Sequence, residues 1–194
     1  MFDVLYQHIS KKVSITPKEW EFITQQCIPK KIRKKQYLLQ AGDKAEFSIF
    51  VTKGCLRSYS VDAAGEEHIV QFALEGWWIG DTSAFLTNEP ASFNIDAIED
   101  TEVLLFESES LDVIFDHVPM FERYMRLLLQ GNYVAMHKRL VSAISTTAEE
   151  KYLRMQKQYP DIMQRVPQHM IASYLGLKPE TLSRIRKKLA SDKS

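Results

Sequence analysis

The apolar positions of this chain change period three times. Up to about residue 29 they recur at helical steps: Val4, Leu5, Ile9 and Val13, then Trp20, Phe22 and Ile23 behind Pro17. From Lys30 to about Phe106 the period shortens to that of strands. The runs are Tyr37-Leu38-Leu39, Phe47-Ser48-Ile49-Phe50-Val51, Leu56-Arg57-Ser58-Tyr59-Ser60-Val61, His68-Ile69-Val70-Gln71-Phe72 and Glu102-Val103-Leu104-Leu105-Phe106. Gly42-Asp43, Lys53-Gly54, Ala64-Gly65 and Glu75-Gly76 supply turns between them. Evenly spaced short strands with glycine turns predict an antiparallel sandwich or barrel. A long helix is then predicted from about Pro119 to Ser145, where Met120, Leu127, Val134 and Val141 repeat every seven residues. Tyr124 and Gly131 sit four residues beyond Met120 and Leu127 and extend the stripe. Such a seam suits pairing of two chains, with Gly131 allowing close approach. The plainer reading is a helix packed on its own domain. Phe121, Met125, Leu128, Leu129 and Leu140 lie off the seam and favour both contacts together. A further helix over Ala148–Tyr159 ends at Pro160.

The last thirty residues read as a helix-turn-helix. A first helix is predicted from about Gln168 to Leu175, with Met170, Ile171, Tyr174 and Leu175 at helical spacing. Gly176 supplies the positive φ that ends it, and Leu177 packs between the two helices. The second helix opens with Lys178-Pro179-Glu180-Thr181, where proline suits the first helical position and the acid suits the positive helix end. Leu182, Ile185 and Leu189 face inward, leaving Thr181, Ser183, Arg184, Lys187 and Lys188 outside. A braced first helix and a basic, outward second helix are what major-groove reading requires. An ordinary helical hairpin with a solvated basic face would carry much of the same pattern.

Composition narrows the class. The 45% hydrophobic and 26% charged content is that of a globular domain, and no run of about 18 apolar residues could span a membrane. The start Met1-Phe2-Asp3 is no signal peptide, and Cys27 and Cys55 lack metal-ligand spacing, so a cytoplasmic protein with reduced thiols is expected. The net charge of zero hides an asymmetry. From Asp161 onward seven Lys/Arg face three Asp/Glu, whereas Ser58 to Glu122 holds fifteen acidic residues and no Lys or Arg. That balance fits a nucleic-acid-binding tail on a domain that avoids nucleic acid. The basic run Lys30-Lys31-Ile32-Arg33-Lys34-Lys35 fits a phosphate contact or, more simply, a strand edge protected by lysine. Five scattered histidines without a His-x-His pair, and the lack of any Ser-His-Asp or P-loop pattern, argue against an enzyme.

The order of helical start, strand region, long helix and helix-turn-helix resembles the CRP/FNR family of bacterial transcription regulators over nearly the whole chain. Gln40-Ala41-Gly42-Asp43 and Phe50-Val51-Thr52-Lys53-Gly54 resemble the family's strand turns. Gly76-Trp77-Trp78-Ile79-Gly80-Asp81 is similar to the Gly-x-x-Ile-Gly-Glu that opens its cyclic-nucleotide cassette. Glu180-Thr181-Leu182-Ser183-Arg184 matches the family's Glu-Thr-x-x-x-Arg with one residue removed. The resemblance implies an α+β fold: an N-terminal antiparallel jelly roll of the cyclic-nucleotide-binding kind over residues 1–118, a dimerisation helix over 119–145, and a helix-turn-helix domain over 146–194. Only Ala190 to Ser194 follow Leu189, too few for the β-hairpin wing that many members carry, so the unit is expected to lack a full wing.

The implied partners are double-stranded DNA and a second copy of the chain, with RNA polymerase as a further candidate and no membrane. Arg184 is expected to take guanine in a bidentate contact, and Glu180 to accept from a cytosine amino group. Thr181 or Ser183 would reach a base edge or phosphate, while Lys178 and Pro179 tune the helix entrance. Gln168, His169, Arg186, Lys187 and Lys188 are phosphate candidates. The alternative is a sensory or protein-interaction module with a degenerate helix-turn-helix.

In the cassette, members that bind cyclic AMP place an Arg-Ser or Arg-Thr pair where this chain has Ala91-Ser92, and a glutamate where it has Asp81. A buried phosphate without a cation is costly, so cyclic AMP is not expected to bind. Lys44, Lys53, Arg57, Arg123 and Arg126 are the cations that could reach in. Two cysteines cannot hold a four-cysteine iron–sulfur cluster, and His68, His117 and His137 read as surface or structural groups rather than haem ligands. No cofactor is assigned. An effector of unknown chemistry near Trp77, Gly80, Asp81, Ala91 and Ser92 is left open, and Trp77, Trp78, Phe72 and Phe85 either line a pocket there or fill the core.

Overall fold

The computed structural model describes residues 1–191. Two helices, α1 (Phe2–Ser10) and α2 (Pro17–Gln25), precede eight strands. The capping residue of α2 is Thr16, whose hydroxyl accepts from the Glu19 amide while the Glu19 carboxylate reaches back to the Thr16 amide at 2.7 Å. The strands are β1 (Ile28–Ile32), β2 (Tyr37–Leu39), β3 (Phe47–Lys53), β4 (Leu56–Val61), β5 (Glu67–Ala73), β6 (Trp78–Ile79), β7 (Asn94–Ala97) and β8 (Thr101–Glu107). A one-and-a-half-turn helix, α3 (Thr82–Thr87), interrupts them between β6 and β7. They form two four-stranded antiparallel sheets, β1-β8-β3-β6 and β2-β7-β4-β5, as expected for a jelly roll.

Alternation along the strands explains how both faces of each sheet are buried. Ile49, Val51, Val103 and Leu105 of the first sheet point into the barrel, where they meet Leu56, Ala73, Ile95 and Ala97 of the second. Phe50, Leu104 and Phe106 point the other way, into a core closed by Leu5, Ile9, Ile23, Leu111, Ile114, Phe121 and Tyr124. These come from α1, α2 and two further helices, α4 (Ser108–His117) and α5 (Pro119–Ser145). On the outer face of the second sheet, Tyr59, Ile69 and Phe72 share a core with the C-terminal helices α6 (Ala148–Gln158), α7 (Pro160–Arg165), α8 (Gln168–Leu175) and α9 (Pro179–Ser191). The jelly roll is thus covered by helices on one side and by the helix-turn-helix unit on the other. Gly54 permits the tight β3–β4 turn: its φ is +97°, and an added Cβ would lie 2.7 Å from the Thr101 backbone.

The long helix spans the predicted residues, but its two halves differ. Phe121 and Tyr124 are fully buried in the chain's own core, so Tyr124 is not part of a free seam. Beyond them Leu129, Tyr133, Val134, Met136, Leu140, Val141 and Ile144 are all exposed, and Ile144 is 82% exposed. The helical start is shorter than the sequence pattern suggests, because β1 begins at Ile28 to pair with Leu105 of β8. Burial pushes the Cys27 thiol up to about 11 and Cys55 up to about 12, which keeps both as inert thiols at neutral pH.

A polar chain crosses the helix-covered core. The Trp78 indole donates to the Tyr124 hydroxyl at 2.8 Å, and that hydroxyl lies 2.7 Å from His8 Nδ1. With the hydroxyl accepting from Trp78, its proton is free to go to a neutral His8. Burial, then the nearby Lys12 and Lys11, lower the His8 pKa below 6.5. The unfolded chain therefore binds the proton more readily, and the neutral pairing stabilises the fold above about pH 6.5 and fails as pH falls through the folded value. Urea unfolding midpoints should drop between pH 7 and pH 5.5, and His8→Gln should flatten that slope. An unchanged slope in the variant would assign the acid sensitivity elsewhere.

Candidate nucleic-acid interface

The C-terminal unit is built from local signals. Thr147 caps α6 in a box with Glu150, and Pro160 and Pro179 take first-turn positions of α7 and α9. Gly176, at φ +67°, ends α8. The Leu177 amide reaches the Ala172 carbonyl at 2.9 Å and the Gly176 amide reaches Ser173 at 3.0 Å, the paired bonds of a Schellman turn. That turn sets α9 across α8, with Leu182 buried and Ile185 and Leu189 packed beneath it.

The opposite face of α9 is open. Lys178, Pro179, Glu180, Ser183, Arg184, Arg186 and Lys187 are exposed, and Thr181 is half-buried. Between α9 and the start of α8 runs a groove of about 440 Å³ lined by Gln168, His169, Pro179, Ser183, Arg186 and Lys187, with Leu182 as its floor. The Gln168 Oε1 is enclosed there without a hydrogen-bond partner. Six of the eleven DNA candidates thus line one concavity. Glu180 and Arg184 lie one helical turn apart on the exposed side of α9. Lys188 instead turns to Glu149 of α6 at 2.8 Å.

The unit is held to the jelly roll by its other side. Arg165 pairs with Glu75 at 2.8 Å and with Glu99. Burial alone would raise the Glu75 pKa, but Arg165 and the Gly54 amide outweigh it and hold the carboxyl below its usual range. Ser173 Oγ accepts from the Ile69 amide at 3.0 Å and donates to the Glu67 carbonyl at 2.7 Å. Trp77 packs edge-on against Tyr159. The docked face and the basic face of the helix-turn-helix are therefore different surfaces.

A family model for the cyclic nucleotide-binding domain matches residues 29–117. The transcriptional activator protein anr of Pseudomonas aeruginosa is 26% identical over 168 residues, covering 79% of this chain and 67% of that protein. The fumarate nitrate reduction regulatory protein of Klebsiella oxytoca is 26% identical over 167 residues, covering 80% of this chain and 66% of that protein. Among solved structures, FixK2 from Bradyrhizobium japonicum superposes with a TM-score of 0.71 at 22% identity, over 86% of this chain and 85% of that one. The regulator CLP of Xanthomonas campestris gives 0.72 at 15% identity, over 91% and 93%. The chain carries a cyclic nucleotide-binding domain fold over residues 29–117 and is similar over most of its length to regulators of the CRP/FNR kind. It spans about two thirds of the length of the curated relatives it matches.

Within this chain the cassette has a structural job. Asp81 is 2% exposed, and its two carboxylate oxygens accept from the Ala84 amide at 3.1 Å and the Ser92 amide at 2.8 Å, capping α3 and tethering the following loop. Ala91 is buried beside Ala45 and Ala84, where a longer side chain would have no room without displacing them. Arg57, a cation that could have reached inward, lies on the outer face of the second sheet and pairs with Asp96 and Glu67. Gly80, Asp81, Ala91 and Ser92 come together, whereas Trp77 turns to Tyr159 and Trp78, Phe72 and Phe85 fill cores. These residues do not fit a cyclic phosphate: both Asp81 oxygens already accept from backbone amides, and the buried Ala91 offers a phosphate no charge.

The exposed cluster Asp62, Glu66 and His68 is a turn cap, with Asp62 accepting from the Ala64 and Glu66 amides and from His68. The docking residues Arg165, Ser173 and Arg139 escaped the sequence reading. The one signal for them was the charge asymmetry, part of which is consumed within the chain as Arg165 meets Glu75 and Glu99. The wing expectation falls in part on Asp192–Ser194, outside the described residues.

Proposed function

We propose that the chain is a dimeric, sequence-specific DNA-binding transcription regulator that does not respond to cyclic AMP. The observation that carries this is the outward basic face of α9, braced from behind by α8 and continuous with the groove at Gln168 and His169. On this reading residues 1–118 form the sensor domain, 119–145 the pairing helix and 146–194 the DNA-binding domain. Arg184 reads a guanine, Glu180 a cytosine amino group, and Ser183 and Thr181 adjacent edges or phosphate. Gln168, His169, Arg186 and Lys187 hold the backbone on either side, and Lys178 and Pro179 shape the entry of α9. Among the described residues no helix is long and apolar enough to cross a membrane. A cytoplasmic location at promoter DNA, with RNA polymerase as the further partner, completes the proposal.

The test is selection from a random duplex library without added ligand. A palindrome with half-sites about one turn, near 34 Å, apart is expected. No enrichment, with binding insensitive to salt, would reject the proposal, because phosphate contacts make affinity fall steeply as salt rises. On the selected site Arg184→Ala should cost about 1–3 kcal/mol and relax preference at one base pair. Full affinity with unchanged preference would show that Arg184 does not read a base.

A further inference from the structure

Three parts of the molecule meet at Arg139, on the outer half of α5. Its guanidinium donates to the Val70 carbonyl, to the Ile69 carbonyl at 3.4 Å and to the Tyr174 carbonyl at 3.1 Å. It also lies 4.0 Å from the centre of the Tyr174 ring, which packs on Phe72 of β5. Its partners are carbonyls and a ring, which suits a planar fork of five donors better than a point charge. Tyr174 is in the last turn of α8, where carbonyls lack a partner within the helix and a cation is favoured. Ile69 and Val70 belong to β5, the outermost strand of its sheet, whose outer ladder groups would otherwise face water. Ser173 occupies the neighbouring groups of the same edge. Beyond Arg139 the pairing helix ends at Ser145, and the direct covalent link to α6 is the two extended residues Thr146 and Thr147. A joint of that kind needs a side brace to hold an angle.

We propose that Arg139 is a positioning residue that fixes the recognition helix relative to α5, and thereby selects the spacing between two DNA half-sites. The proposal rests on the reading of the chain as a dimeric DNA-binding regulator. In a dimer, the path from one recognition helix to the other runs through α8, Arg139 and the paired α5 helices. Each helix-turn-helix reads its own half-site whatever the path does, because its base-reading face lies away from the brace. Spacing is different. One added base pair moves a half-site by about 3.4 Å and turns it by about 35° about the duplex axis, and only a rigid path makes that costly.

The experiment measures affinity of wild type, Arg139→Ala and Arg139→Lys on duplexes carrying the selected half-sites at the selected spacing and at one base pair more or fewer. A base swap within the half-site serves as the second readout. Wild type should prefer its spacing by about tenfold or more, the size of one mismatched base pair. Arg139→Ala should shrink that ratio to about threefold or less while the base-swap penalty stays as in wild type. Arg139→Lys, which keeps charge and stem but loses the fork, should fall between. Spacing selectivity kept in both variants would overturn the proposal. So would equal loss of spacing and base discrimination, since that marks general damage. A wild type that enriches no paired half-sites would overturn the regulator reading itself and this proposal with it, an outcome recognisable before any variant is made.

Discussion

Asp96→Ala is expected to destabilise the protein by about 3–5 kcal/mol, the range for leaving a buried charge without its partner. Arg57 and Asp96 face each other across β4 and β7, and their side chains are 9% and 8% exposed. The contact is bidentate, Nε to Oδ1 at 2.8 Å and the second guanidinium nitrogen to Oδ2 at 2.9 Å. Burial alone would lower the Arg57 pKa, but hydrogen bonds to Asp96 and Glu67 outweigh it and hold it above its usual range. Glu67 is 44% exposed at its side chain and would retain part of the pairing, so the loss should fall toward the lower end of that range. Urea unfolding with an unchanged m value is the measurement, and a melting point lower by about 10 °C is the matching thermal result. The double replacement Arg57→Met with Asp96→Leu should bring stability back to within about 1 kcal/mol of wild type, because both charges then leave together. A single variant as stable as wild type would mean that water reaches Arg57 freely. Cross-strand neighbours of this kind also shape the docking face, since Phe72, directly opposite Arg57 on β5, packs on Tyr174 of the helix-turn-helix.

The same pair shows why β7 was not legible in the sequence. Asn94-Ile95-Asp96-Ala97 contains two residues that strands usually avoid, and Asp96 stands there only because Arg57 lies opposite. At two residues, β6 is too short for any period to appear. Helix α7 was missed because Pro160 reads equally as the end of α6 and as the first position of a new helix. The α4 signal was present, as Leu111, Ile114 and Val118 at three- and four-residue steps, but it follows β8 without a glycine or proline to mark the change. Where punctuation was strong the reading held to the residue, as in α5 from Pro119 to Ser145 and α8 up to Gly176.

The candidate site divides along the same line. A recognition helix is a local object, and its buried strip of Leu182, Ile185 and Leu189 fixes which residues point out. The contacts that hold it in place join residues far apart, 66 to 90 positions for Arg165 and 35 to 70 for Arg139. No local pattern encodes such pairs. The cassette differs in a third way: Asp81 stands where the resemblance places a glutamate, while its carboxylate serves the backbone of its own loop.

Leu140→Glu with Ile144→Glu on α5 should yield a monomer that folds normally and binds the palindromic site about 10²–10⁴-fold more weakly. That range is the avidity gained when a second module binds intramolecularly. Both side chains are exposed, at 60% and 82%, so charging them should leave the chain's own core intact. They end a stripe that runs Leu129, Tyr133, Met136, Leu140 and Ile144 at steps of four, three, four and four, beside the sequence-predicted Val134 and Val141. A monomer rarely leaves so many large apolar side chains contiguous in water. Gly131 lies open in the same segment, with nothing within 4 Å of where its Cβ would be, so a partner helix could approach closely there. Sedimentation would report the mass and circular dichroism the fold, while affinity for an isolated half-site should match wild type. A variant that remains dimeric would move the pairing surface off this stripe. One that becomes monomeric yet keeps palindrome affinity would show that the two half-sites are read independently.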